Sequence, residues 1–231
     1  MAILQEFAEN VWIVDGPPVR FLGMLFPTRM ILVKLSDGSL WVNSPVSTEP
    51  EILSRLSELG PVHYLVAPNR LHVWRLEEWH IRFPDAELWL PSRIPRAFKN
   101  LPAAGFLGDI SPPSWEKDLD QLVFRGNLFL EEVFFLHKPS RTVILADLIQ
   151  NHPLHKRQPL INLIKRLGGV ASFPGGVPRD IRLSFVNRGK ARQSLEELLS
   201  WDFDKLIIGH GTCLDKDAKP FMKQAFHWLL E

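Results

Sequence analysis

His63-Tyr64-Leu65-Val66-Ala67-Pro68-Asn69-Arg70-Leu71-His72 opens as a short strand-like run and leaves it as a loop at Pro68. Trp74 to Phe83 then carries a helical pattern, Pro84-Asp85-Ala86 stops it, and Glu87-Leu88-Trp89-Leu90 is extended again. Strand, loop, helix, strand is a βαβ unit, which makes the chain α/β. Upstream, Ser47-Thr48-Glu49-Pro50 opens a helix over Glu51 to Leu59, with Ile52, Leu53, Leu56 and Leu59 on one face and Gly60-Pro61 at its end. Further upstream the period is that of strands. Val11-Trp12-Ile13-Val14 is stopped by Asp15-Gly16-Pro17-Pro18, and Arg29 to Leu35 and Leu40-Trp41-Val42 flank an Asp37-Gly38 turn as a hairpin.

Downstream, Leu122-Val123-Phe124, Glu132 to Phe135 and Thr142 to Ala146 read as three successive strands, with His137 beside Lys138 in a turn. Pro159 to Leu167 and Lys190 to Leu199 are helices, the first opened by proline. Lys205 to Ile208 is a last buried strand, and Ala218 to Leu230 closes the chain as one amphipathic helix. β-rich openings to both halves, each followed by helices, suggest two sheets packed face to face within a single domain over residues 1–231.

Composition narrows the function classes. A formal net charge of +1 gives no reason to expect nucleic acid or a membrane as partner. Cys213 stands alone, which excludes an intrachain disulfide and a cysteine zinc cluster. No apolar run approaches the roughly 20 residues of a membrane span, and Met1 to Phe7 lacks the basic start of a secretory signal. The expected location is the cytoplasm. Oligomeric state is not legible.

Three polar residues stand just beyond apolar strands, where a rigid scaffold can aim them into one cleft. His72 follows Leu65-Val66, Asp147 ends Val143-Ile144-Leu145-Ala146, and His210 follows Leu206-Ile207-Ile208-Gly209. Two imidazoles and a carboxylate suit zinc or iron, and the small Gly209 and Gly211 leave room for His210 to approach an ion. The alternative is that each caps a neighbouring loop or helix. His152 lies in the loop after Asp147, where it would line the same cleft or simply face solvent. Trp74 and Trp79, on one helix, would cover an apolar pocket next to His72. Cys213, close to His210 in the chain, reads as an incidental thiol rather than a nucleophile.

Several of these stretches resemble the metallo-β-lactamase superfamily. Val11 to Gly16 with Thr28 to Ser44 resembles its opening hairpins, and Thr142 to Asp147 resembles the strand whose terminal aspartate bridges two metals. Leu206-Ile207-Ile208-Gly209-His210-Gly211 resembles the segment that supplies a late metal histidine. Ala67 to His72, Trp79 to Pro84 and His137 to Thr142 look like a poorly characterised branch of that superfamily, one with no assigned reaction. The resemblance implies an αββα sandwich: two mixed sheets face to face, with helices on the outer faces.

The departures from the family pattern matter as much. Where the family has His-x-His-x-Asp-His, this chain has Pro68-Asn69-Arg70-Leu71-His72-Val73, with at most one histidine ligand in place and Asn69 as a stand-in for another. The family's third metal region corresponds to Arg125-Gly126-Asn127, with Asn127, Glu131 or Glu132 as imperfect substitutes. A dinuclear site is thus not expected. His72, Asp147 and His210 would hold one zinc or iron ion, with Asn69, Glu132 and His152 as further cleft residues. Two functions follow. One is a mononuclear metal-dependent hydrolase of a small-molecule ester, thioester or phosphoester. The other is a non-catalytic relative that binds a small ligand or protein in the former cleft.

Overall fold

A computed structural model describes residues 4–21, 24–47, 49–172 and 174–231. Met1, Ala2, Ile3 and Thr48, which figure in the reading of the N-terminus and of the first helix, lie outside the described residues. The chain forms two compact units, Met1–Gln121 and Leu122–Glu231.

The first unit is built on a seven-stranded sheet whose strands follow chain order. They are β1 Leu4–Ala8, β2 Val11–Phe21, β3 Met24–Lys34, β4 Leu40–Asn43, β5 Val62–Val66, β6 Glu87–Leu90 and β7 Ala103–Phe106. Pairing is antiparallel from β1 to β4 and parallel from β4 to β7, so the sheet is mixed. The β3–β4 hairpin turns at Asp37-Gly38, as the sequence indicates, with Gly38 at φ +87°. Helix α1 (Pro50–Leu59) links β4 to β5, and α2 (Leu76–Arg82) links β5 to β6 in the expected βαβ arrangement.

Two local expectations fail for physical reasons. Strand β2 does not stop at Asp15 but continues through Pro17 and Pro18. Among the described residues its pairing with β1 reaches Val14, so beyond that point one edge of β2 has no described β1 partner, and a register shift against β3 between Gly16 and Val19 absorbs the prolines. A proline without an N–H costs little at such an edge or bulge. Helix α2 is also shorter than its pattern. Trp74 precedes it and is 68% exposed, whereas Trp79 is fully buried and donates its indole N–H to the Val46 carbonyl at 2.7 Å. The two tryptophans therefore do not share a pocket wall. Trp79 is a core residue, packed with Leu65, Leu76 and Leu88.

The second sheet has the order β11-β10-β9-β8, from β8 Leu119–Phe124, β9 Glu132–His137, β10 Thr142–Ile144 and β11 Lys205–Ile207. The pair β9/β10 is antiparallel and β10/β11 parallel. Helices α3 (Pro159–Gly168), α4 (Arg179–Leu183), α5 (Arg188–Ser200), α6 (Ala218–Ala225) and α7 (His227–Leu230) belong to the second unit. His137 is not in a turn: it ends β9, is buried, and its Nδ1 meets the Ser140 hydroxyl at 2.7 Å. The closing helix is two helices, broken at Phe226. Phe226 stacks on Phe124 at 4.9 Å and Trp228 meets Phe185 edge-on at 5.3 Å, so the break accompanies the burial of two aromatic rings. Among the described residues no helix is long and apolar enough to cross a membrane.

Candidate metal centre

Strands β10 and β11 run parallel as neighbours, so both release the chain from the same end of the sheet. That topology brings together residues 63 apart in sequence. His210 Nε2 and Asp147 Oδ1 are 2.8 Å apart, with Asp147 5% and His210 7% exposed. The loops beyond the carboxyl ends of adjacent parallel strands are where an α/β sheet presents polar groups to a ligand.

Gly209 makes the approach of the two strand ends feasible. A Cβ there would sit 2.9 Å from the Ala146 carbonyl oxygen and 3.1 Å from its Cα. The Gly209 N–H donates to that same carbonyl at 3.1 Å. Gly211 has φ +107°, and a Cβ on it would lie 2.1 Å from the Asn151 carbonyl oxygen. The two glycines that flank His210 thus admit neighbouring backbone. Asn151 completes this corner: its N–H donates to the His210 carbonyl at 3.2 Å and its side-chain amide to the Thr212 carbonyl at 3.0 Å.

Asp147 is held from behind by Glu132, which is fully buried on β9. The Glu132 carboxylate accepts the backbone N–H groups of Ala146 at 2.7 Å, Asp147 at 2.8 Å and Leu148 at 3.2 Å. These three donors have left the sheet ladder, which explains why β10 ends at Ile144, short of Ala146. Glu132 thus anchors the loop that carries the candidate ligand. Asn127 is likewise occupied: its Oδ1 accepts from Phe129 N–H, Leu130 N–H and the Ser184 hydroxyl, and its amide donates to the Ile181 carbonyl.

His152 is half-buried, with Nε2 3.0 Å from Gln150 Oε1. Burial, aided by the nearby His210 and Lys165, pushes its pKa from 6.5 down to about 4. The unfolded chain therefore binds a proton below pH 6.5 that the folded, metal-free chain refuses until about pH 4. Stability falls as pH drops through that window, by no more than about 2 kcal/mol once the ring's partial exposure is allowed for. Urea titrations of wild type and His152→Gln between pH 7 and 4 measure it. The variant should show the flatter acid limb; parallel curves would contradict this assignment.

In the first unit, His72 lies in the loop after β5, half-buried, its N–H donating to the Asn69 carbonyl at 3.2 Å. Asn69 is fully buried and its Oδ1 accepts the Leu71 N–H at 2.8 Å, a side-chain turn that shapes the loop leading to His72. Cys213 is half-buried, its Sγ 3.9 Å from the Ile208 carbonyl. Sequence reading did not single out Asn151 or the three-amide role of Glu132. A buried acid inside an apolar strand, Glu132 before Val133-Phe134-Phe135, was the available signal for the second.

Solved structures similar to this one over nearly its whole length include metallo-β-lactamases. The enzyme from Hirschia baltica has a TM-score of 0.65 at 13% identity, covering 99% of this chain and 97% of that one. The enzyme from Pontibacter korlensis has 0.64 at 9%, covering 100% of both chains. FIM-1 from Pseudomonas aeruginosa, in its mono-zinc form, has 0.64 at 10%, covering 100% of this chain and 97% of that one. At such identities the likeness shows the fold, a mixed α/β metallo-β-lactamase fold with two mixed sheets. No curated protein matches the sequence significantly. Residues 8–165 match the family described as Domain of unknown function (DUF4336). The chain belongs to that family, which is a branch of the metallo-β-lactamase fold.

Proposed function

We propose that the chain holds one metal ion on His72, Asp147 and His210 and hydrolyses a small-molecule ester, thioester or phosphoester there. The observation that carries this reading is the donor set itself. Within the second unit His210 Nε2 and Asp147 Oδ1 stand 2.8 Å apart at the ends of β11 and β10, and His72 is the third donor that the sequence offers. Two imidazoles and one carboxylate make the roughly three protein ligands that a catalytic zinc takes, with a position left for water. The same set suits non-haem iron(II). A mono-zinc form among the similar metallo-β-lactamases supports a single-ion count.

A bound ion would supply Lewis acidity and lower the pKa of water toward neutrality. The chain's own residues do the rest of the positioning. Glu132 fixes the Asp147 backbone through three amides, and Gly209 lets the β11 end close on Ala146. His152, kept neutral by burial, adds no positive charge to repel a cation.

Elemental analysis of protein purified without added metal tests the reading. Wild type should carry close to one zinc or iron ion per chain and His210→Ala far less, because a native site fills during folding. A content below about 0.2 ion per chain, unchanged by His210→Ala, would sink it. The direct 2.8 Å contact of His210 with Asp147 favours a second reading, in which the imidazole itself partners the carboxylate and the cleft binds a ligand without catalysis. In that case a chelator leaves the melting temperature unchanged; in the metal reading it lowers it.

A further inference from the structure

Helix α3 is turned inside out relative to an ordinary amphipathic helix. Its apolar residues Leu160, Ile161, Leu163, Ile164 and Leu167 are 69%, 46%, 51%, 50% and 59% exposed, and it buries no residue. Asn162 and Lys165 face the protein instead. Asn162 exchanges hydrogen bonds with the His155 backbone at 3.0 and 2.8 Å, and Lys165 Nζ donates to the Pro153 carbonyl at 2.7 Å. A surface helix normally points its apolar stripe at the core, so this one presents a ridge that water covers poorly.

The charge around the ridge is one-sided. From Leu148 to Pro178 the sequence contains no Asp or Glu, while Lys156, Arg157, Lys165 and Arg166 all lie there and Arg179 follows. The near-neutral net charge of the whole chain conceals this local excess. Lys156, Arg157, Arg166 and Arg179 are exposed.

We propose that α3 is a membrane-surface docking element for an anionic lipid bilayer. A convex ridge of leucine and isoleucine needs no complementary groove in a fluid acyl layer, and the flanking cations meet anionic headgroups. A second copy of the chain is a poor occupant, because a symmetric contact would place cation against cation. Lys165 ties the helix to the loop that carries His152, five residues after Asp147, so docking would set that loop beside the lipid surface. This inference does not depend on whether a metal binds.

Vesicle flotation of the full chain tests it, with phosphatidylcholine alone against phosphatidylcholine containing phosphatidylglycerol, at low and high salt. Wild type should float with the anionic vesicles and fall off as salt rises. Lys156→Glu with Arg157→Glu should weaken binding by about tenfold or more, and Leu163→Ser with Ile164→Ser should abolish it. All four positions are exposed, so circular dichroism should show both variants folded. Three results would overturn the proposal: no flotation with anionic vesicles, equal flotation of the charge-reversed variant, or a wild-type dimer that Leu163→Ser with Ile164→Ser dissolves.

Discussion

Glu132→Ala is expected to destabilise the fold by about 3–5 kcal/mol, among the largest effects available to one substitution in the second unit. Three backbone N–H groups, those of Ala146, Asp147 and Leu148, end on this one carboxylate, and the residue is fully buried. Each amide left without an acceptor costs about 1–3 kcal/mol, and relaxation or an entering water recovers part of it. Glu132→Gln separates shape from acceptor count. It keeps the volume but turns one of the two accepting oxygens into an NH₂ that faces amide donors, so an intermediate loss is expected. Urea unfolding at pH 7 reads the series. A loss below about 1 kcal/mol for Glu132→Ala would mean that the loop finds other acceptors and that Glu132 does not position Asp147.

Gly211→Ala should cost at least about 2 kcal/mol, for two reasons that a control separates. Its φ of +107° disfavours any side chain, and the added Cβ would overlap the Asn151 carbonyl at 2.1 Å. Gly38 has the first problem without the second: φ is +87°, and a Cβ added there would meet nothing within 4 Å. Gly38→Ala should therefore cost only about 1–2 kcal/mol, the penalty of the left-handed backbone alone. The difference measures how tightly the His210 loop is pressed against Asn151. Equal losses in the two variants would show that the loop moves aside freely. A larger loss for Gly211→Ala, with metal content reduced as well, would tie the backbone contact to the candidate centre.

Much of the fold was legible in the sequence because its signals are local. The Asp37-Gly38 turn, the proline at the start of α3 and the strand-loop-helix-strand run from His63 to Leu90 each depend on neighbours within a few residues. Where local signals misled, a long-range partner intervened. Pro17 and Pro18 read as a stop, yet they lie at a register shift in the pairing of β2 with β3, between Gly16 and Val19. Thr142 to Ala146 reads as one strand, yet Glu132, from a different strand, takes the Ala146 amide out of the ladder. Ala218 to Leu230 reads as one helix, yet it breaks where Phe226 stacks on Phe124.

By itself the sequence determined the α/β class, the family likeness, and the three residue types, His72, Asp147 and His210, that stand at strand ends. Those follow from patterning and from residue chemistry, which a chain carries whether or not it is folded. Tertiary structure alone decided that Asp147 and His210 touch, because the parallel pairing of β10 with β11 is a contact across more than sixty residues. It also decided that Glu132 is a backbone anchor and that α3 turns its apolar face outward. Periodicity records that a helix has two faces, but which face meets the protein depends on the hydrogen bonds its polar side finds, here the His155 backbone and the Pro153 carbonyl.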